Sequence, residues 1–171
     1  TPAKRAEYDA AIEPMIRVSD NETFKELLDE ADEVKRDAFD RVEKDLRLSR
    51  TRIHDEKAFE RYSYHSVTTA ADMAKVIETI YGEKYISKAQ ARQLKDHLAN
   101  TIFQDEIPRY MQTPVLHKVG ELDDVLCDVG VIQDGRDPIL ISFYTSTDDH
   151  EYSSDFIASV SAKLYNALRR Q

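Results

Sequence analysis

From Phe24 to Leu48 apolar residues return every three or four positions, at Phe24, Leu27, Leu28, Ala31, Val34, Ala38, Phe39, Val42 and Leu46, with charged residues on the other faces. That period predicts one amphipathic helix or two shorter ones in succession. Ser19, Asp20 and Asn21 stand just ahead of it, and their short polar side chains accept hydrogen bonds from the free amides of a helix start. Between Ser49 and Ser66 the period is lost and the chain reads as irregular and turn-prone. A second helix is predicted over TTAADMAKVIETIYG, capped by Thr69, with Asp72 placed three residues on to reciprocate and Gly82 to stop it. Ser87 and Gln90 repeat that start signal, and Ala91, Leu94, Leu98 and Ile102 extend a third helix to residue 103.

Beyond Pro114 the period changes to that of short β-rich runs: VLHKVGEL, DVLCDVGVIQ and PILISFYTST, with turn chemistry in QDGRDP between the last two. They predict an antiparallel meander. A final helix carries Phe156, Ile157, Val160, Leu164 and Leu168 as a stripe suited to cover one face of the sheet. The class is therefore mixed α and β, with a helical subdomain over residues 1–112 and antiparallel strands plus a covering helix over 113–171. No internal repeat or low-complexity segment interrupts this order.

Composition narrows the functions. With 33 acidic and 24 basic residues among 171, the net charge of −9 opposes a phosphate backbone as partner, so nucleic acid is not expected. Tyr62, Tyr64, Tyr81 and Tyr85 lack interleaved cations of a base-stacking surface and read as packing or cleft-lining groups. Apolar runs are strand-sized and none spans a bilayer. Cys127 is the single cysteine, so no internal disulfide or thiolate metal cage is available. His54, His65, His97, His117 and His150 never fall at the helical spacing of a zinc protease, and neither metal nor cofactor is expected.

Two short motifs carry chemistry. Ser19-Asp20-Asn21 lies before a helix, and His117-Lys118-Val119-Gly120-Glu121 lies in the first predicted strand, with Lys118 99 residues beyond Ser19. In this order, and with MIRVSDN, TTAADMAKVI and IPRYMQTPVLHKVGELDDVLCDVGVI around them, the chain resembles the penicillin-recognising serine enzymes. These are the class A β-lactamases and D-alanyl-D-alanine peptidases, marked by S-x-x-K, S-D-N and K-T-G. The resemblance implies a β-lactamase/transpeptidase-like fold and acyl transfer on β-lactams or cell-wall peptides. It makes Ser19 the serine that relays a proton and Lys118 the strand lysine that supplies positive potential. Asn21 orients the substrate's amide and Asp20 fixes the loop. Gly120 leaves the strand edge bare for substrate, and the amide of Glu121 serves as one oxyanion donor. It also implies a place outside the cytoplasmic membrane.

Three departures accompany the resemblance. No serine in the chain is followed three residues later by lysine, and only residues 1–18 precede Ser19. The nucleophile segment is therefore expected on another piece, with this chain the C-terminal part of a split, nicked or truncated protein and the missing piece bound to it. Val119 replaces the hydroxyl residue of K-T-G, which removes a hydrogen bond to the substrate carboxylate worth on the order of 0.5 to 3 kcal/mol. Neither Glu56 nor Glu60 stands in the context of the class A deacylation glutamate, so slow turnover is expected. The alternative is a catalytically impaired member of the fold that binds a ligand or senses one.

Overall fold

The computed structural model describes residues 2–35 and 37–170. The helical half comprises α1 (Pro2–Arg17), α2 (Asn21–Val34), α3 (Ala38–Asp45), α4 (Glu56–Tyr62), α5 (Ala70–Tyr81) and α6 (Lys88–Ala99). A 3₁₀ turn at Ile107–Tyr110 leads into β1 (Val115–Leu122), β2 (Val125–Ile132) and β3 (Ile139–Ser146), and α7 (His150–Arg169) follows. The strands form an antiparallel meander in the order β1-β2-β3.

Local chemistry explains the boundaries, and several lie away from the expected positions. The charged run after Val34 breaks the long periodic segment into α2 and α3, with Lys35 fully extended at φ −160°. Of the three candidate capping residues it is Asp20 that caps α2: its Oδ1 accepts from the Thr23 amide at 2.7 Å and the Thr23 hydroxyl at 2.8 Å. Within the segment read as irregular stands α4, started by Asp55 accepting from the Ala58 amide at 2.6 Å and ended by Ser63 in the left-handed region. Thr69 caps α5, but Asp72 does not reciprocate. Its carboxylate turns instead to the Arg50 amide, the Thr51 hydroxyl and Lys75, tying the loop before α5 to the helix. Ser87 and Gln90 do form a reciprocal capping box, and α6 stops at Ala99, short of the expected residue 103.

The sheet is the middle of three layers. Because side chains alternate across a strand, Leu116 of β1 and Val129 and Val131 of β2 face the helices, where they pack with Ile77 of α5 and Leu98 of α6. The other face, with Val115, Val119, Leu126, Ile132 and Ile141, packs with Ile107 and with Ile157 of α7. Each such side chain taken fully out of water contributes about 1.5–3 kcal/mol. The buried side of α7 is Ser153, Ile157, Ala158 and Ser161, so the expected stripe is displaced by about one position and Leu164 and Leu168 lie on the exposed side.

Polar groups are also buried between the sheet and α7. Glu106, 7% exposed, accepts from the Ser154 hydroxyl at 3.2 Å, and burial followed by the nearby Asp128 carboxylate pushes its carboxyl above the ordinary value of 4.5. A raised folded pKa means that the stabilising contribution is complete below the unfolded value and is lost as pH rises through the folded one. Glu106→Gln, which keeps the acceptor and removes the charge, is therefore expected to raise Tm near neutral pH by about 2–4 °C, the shift that ~1 kcal/mol produces at this size. The gain should vanish toward pH 4. Thermal melts of both proteins across that range check it, and a gain that grew on acidification would contradict the burial argument.

Candidate functional site

The site forms where the α1–α2 junction meets the helix-facing side of β1. Arg17 holds the junction in place: its carbonyl accepts from the Ile102 amide at 3.0 Å and the Thr101 hydroxyl at 3.1 Å, while its Nε donates to the Asn100 carbonyl at 3.0 Å. The end of α1 is thus pinned to the end of α6. Just beyond, Ser19 takes φ 54°, the left-handed region that costs a non-glycine residue about 1–2 kcal/mol. Asp20 then caps α2, and this engagement with Thr23 holds its carboxyl below the usual range. Asn21, the first residue of α2, is exposed and lines the same groove as Ser19 and Lys118.

Lys118 reaches that junction from β1. Its Nζ donates to Ser19 Oγ across 99 residues of chain and to the Val119 carbonyl at 2.6 Å, and it stands 5.8 Å from the centre of the Phe103 ring. No carboxylate among the described residues lies within 4.0 Å of it. Burial therefore pulls its pKa down from 10.5. Since Nζ donates to Oγ, the serine's own proton is free to point elsewhere. A hydroxyl held this way can pass a proton onward while a desolvated cation beside it attracts negative charge.

The backbone of β1 completes the polar side. The turn Asp123-Asp124 joins β1 and β2 with Leu122 opposite Val125, and a two-residue hairpin closes on a hydrogen-bonded pair. Counting back, Gly120 and Lys118 bond to β2, whereas the amides of Glu121 and Val119 point to the unpaired edge. Gly120 sits opposite Cys127, whose thiol donates to the Gly120 carbonyl at 3.3 Å; a Cβ on residue 120 would meet that sulfur at 2.8 Å. Glu121 turns its side chain away to His150 Nδ1 at 2.9 Å, leaving only its amide at the edge.

Val119 requires a correction. The strand alternation that aims Lys118 at Ser19 turns the Val119 side chain to the opposite face, where it is 6% exposed among the residues packed on α7. Its side chain contributes to the core and not to the substrate-facing surface that K-T-G membership implies, although its carbonyl anchors Lys118.

Beside these groups runs an apolar groove of about 390 Å³, lined by Met15, Ile16, Phe24, Met73, Val76, Ile80 and their neighbours. Among the described residues, the one carboxylate lining it is the capping Asp20. Glu56 is exposed and lies 3.6 Å from His65, and Glu60 is exposed, so neither lines it. The groove, Phe103 and the Arg17 pins were invisible in sequence because each joins residues far apart along the chain. Among the described residues, no group of three or more His, Cys, Asp or Glu side chains is placed to hold a metal ion.

This arrangement has counterparts in known proteins. The model of the beta-lactamase enzyme family matches residues 1–168. Among solved structures, the TLA-3 extended-spectrum beta-lactamase is similar with a TM-score of 0.78 at 18% identity, over 94% of this chain and 64% of that one. PBP-A follows at 0.76 and 20% identity, covering 95% and 61%, and a beta-lactamase from Sphaerobacter thermophilus at 0.77 and 19%, covering 92% and 62%. The chain thus spans somewhat under two thirds of the length of these structures. No curated protein matched. A family match over nearly the whole chain, on a three-layer fold shared with these structures, makes this protein a member of the beta-lactamase enzyme family with a β-lactamase/transpeptidase-like fold.

Proposed function

We propose that this chain supplies the proton-relay and substrate-positioning half of a serine acyl-transfer site acting on β-lactams or D-alanyl-D-alanine-type cell-wall peptides. The observation that carries this reading is the hydrogen bond from Lys118 to Ser19. It joins two motifs from separate layers beside a strand edge whose amides are free. In the proposed reaction a serine from an S-x-x-K segment gives its proton to a nearby base as its oxygen bonds to the substrate carbonyl carbon, and the bond to the leaving nitrogen breaks as Ser19 relays that proton to it. Lys118 attracts the substrate carboxylate, Asn21 orients the acyl amide, and the Glu121 amide faces the developing oxyanion from the edge of β1. Cell-wall substrates would place this work outside the cytoplasmic membrane.

The nucleophile segment has a natural seat. The groove next to Ser19 is almost wholly apolar, and α2 carries an apolar stripe of which no residue is buried, with Phe24 43% exposed. A helix laid there would cover both and bring its serine to Ser19 and Lys118. The captured acyl-enzyme complex of a PBP-A variant with penicillin G shows that a protein of this fold can hold such an adduct. Among the described residues Asp20 is the one carboxylate lining the groove, it is committed to a cap, and none of them offers a water-activating base there. Slow deacylation follows.

Intact-mass spectrometry of the full protein with and without penicillin tests this. A persistent adduct on the S-x-x-K segment is expected. No adduct on any polypeptide would overturn it in favour of a ligand-binding member of the fold.

A further inference from the structure

A second cleft lies in the loop between α3 and α5 and shares no lining residue with the groove of Ser19. It measures about 1120 Å³ and is lined by Arg50, Arg52, Lys57, Arg61, Tyr62 and Tyr64 among others. Its walls are fixed. Arg52 and Val67 exchange backbone hydrogen bonds of 2.9 Å in both directions, and the Asp55 amide donates to the His65 carbonyl at 2.9 Å. Beneath them Asp72 receives the Arg50 amide at 2.8 Å, and Glu43 receives the Ile53 amide at 3.0 Å.

The charge in this cleft is unlike that of the rest of the chain. Arg52 is paired with Glu43 at 3.3 Å, but among the described residues no carboxylate lies within 4.0 Å of the side-chain nitrogens of Arg50, Lys57 or Arg61. Asp55, the carboxylate of the lining, is turned inward to cap α4. In a chain of net charge −9, three cations without a carboxylate partner among the described residues, gathered in one hollow, call for an anion from outside. Beside them Tyr62 and Tyr64 are 50% and 47% exposed, and the Arg61 guanidinium stands 5.1 Å from the Tyr62 ring centre.

We propose that this cleft binds a sugar bearing phosphate or carboxylate groups. Guanidinium forks take such oxyanions two oxygens at a time, and tyrosine rings offer flat, amphipathic surfaces against which a pyranose can lie. A bare phosphate would use neither the rings nor the volume. A long nucleic acid would extend beyond the cleft and meet the repulsion of a chain of net charge −9. A free sugar phosphate and an acidic glycan polymer share the recognised chemistry and differ in length.

Calorimetric titration of the full protein with glucose 6-phosphate, glucuronate, a glucuronate-containing oligosaccharide, inorganic phosphate, glucose and a single-stranded DNA oligomer tests the assignment. A charged sugar is expected to bind at least tenfold more tightly than glucose or inorganic phosphate. Arg50→Gln combined with Arg61→Gln should remove tenfold or more of that affinity, with an unchanged thermal melt. Should that pair lower the melt, Lys57→Gln gives the same reading alone. Tyr62→Ala with Tyr64→Ala should weaken the sugars and leave inorganic phosphate unaltered. A further tenfold preference for the oligosaccharide identifies a polymer, and equal affinity identifies a free sugar. Binding of charged sugars no better than glucose or phosphate, insensitivity to the arginine substitutions, or tighter binding of the DNA would overturn the proposal. Penicillin acylation should be unchanged in these variants, so failure here and failure of the acyl-transfer reading are separable.

Discussion

Lys118→Ala is expected to slow acylation of the full protein by penicillin about a hundred- to a thousand-fold, the range in which loss of a positioned proton-transfer or charge-stabilising group falls. The residue combines three properties that no neighbour can supply. It is a cation without a carboxylate partner among the described residues, it is largely withdrawn from water, and it holds the Ser19 hydroxyl in a defined orientation. Alanine removes all three. Stability should move differently: because burial disfavours the charged form, Lys118→Met, which keeps the stem, should leave Tm unchanged or raise it. Stopped-flow acylation and thermal melts of the two variants decide the matter. A variant that melts normally and acylates at the original rate would show that Lys118 has no part in the chemistry. The depressed pKa fixes the sign with pH. Lys118 stays cationic below its lowered value, so acylation should fall as pH rises through a point below 10.5, and that alkaline limb should disappear in Lys118→Met.

The parts of the fold legible in sequence were those with local causes. The β meander shows in its period and its turns, and α5 and α6 show in their caps, since Thr69 and Ser87 act on amides three residues away. Features with distant causes were not. α1 has no clean apolar stripe and carries Pro14 inside it; what holds it is contact with the start of α2 and with the end of α6 through Arg17. α4 is too short for a period to emerge and rests on one cap and on the Arg52–Val67 pairing that closes its loop. The site motifs stood out as residue types, but their geometry did not. Val119 reads as a substrate contact by its place in the motif, and strand alternation sends it into the core instead. Counterparts of Lys118 and Ser19 can be named from sequence, whereas the pins at Arg17, the ring of Phe103 and the sulfur of Cys127 beneath Gly120 emerge only when the layers are assembled.

The register of β1, on which the aim of Lys118 depends, rests on a buried pair next to it. His117 and Asp128 are both fully buried, and His117 Nδ1 lies 2.9 and 3.0 Å from the two carboxylate oxygens. One of those oxygens also accepts from the Ile107 amide at 3.0 Å. The close fit is visible in Gly130, opposite His117, where any Cβ would come within 2.6 Å of the histidine. Asp128 thus joins β1, β2 and the turn before β1 through a single side chain. Asp128→Ala is expected to destabilise the full protein by about 3–5 kcal/mol, because it strands an imidazole and an amide in a dry site. Asp128→Asn retains one acceptor and should cost less than half as much. Urea unfolding of both variants measures this, and a loss under about 1 kcal/mol for the alanine would mean that the strands hold their register without the pair. Acylation by the folded fraction gives the functional consequence. If β1 shifts when the pair is cut, Lys118 no longer meets Ser19, and the rate should fall in Asp128→Ala even under conditions where it is fully folded. A folded Asp128→Ala with the original rate would confine Asp128 to stability, and place the aim of Lys118 in the backbone of the hairpin alone.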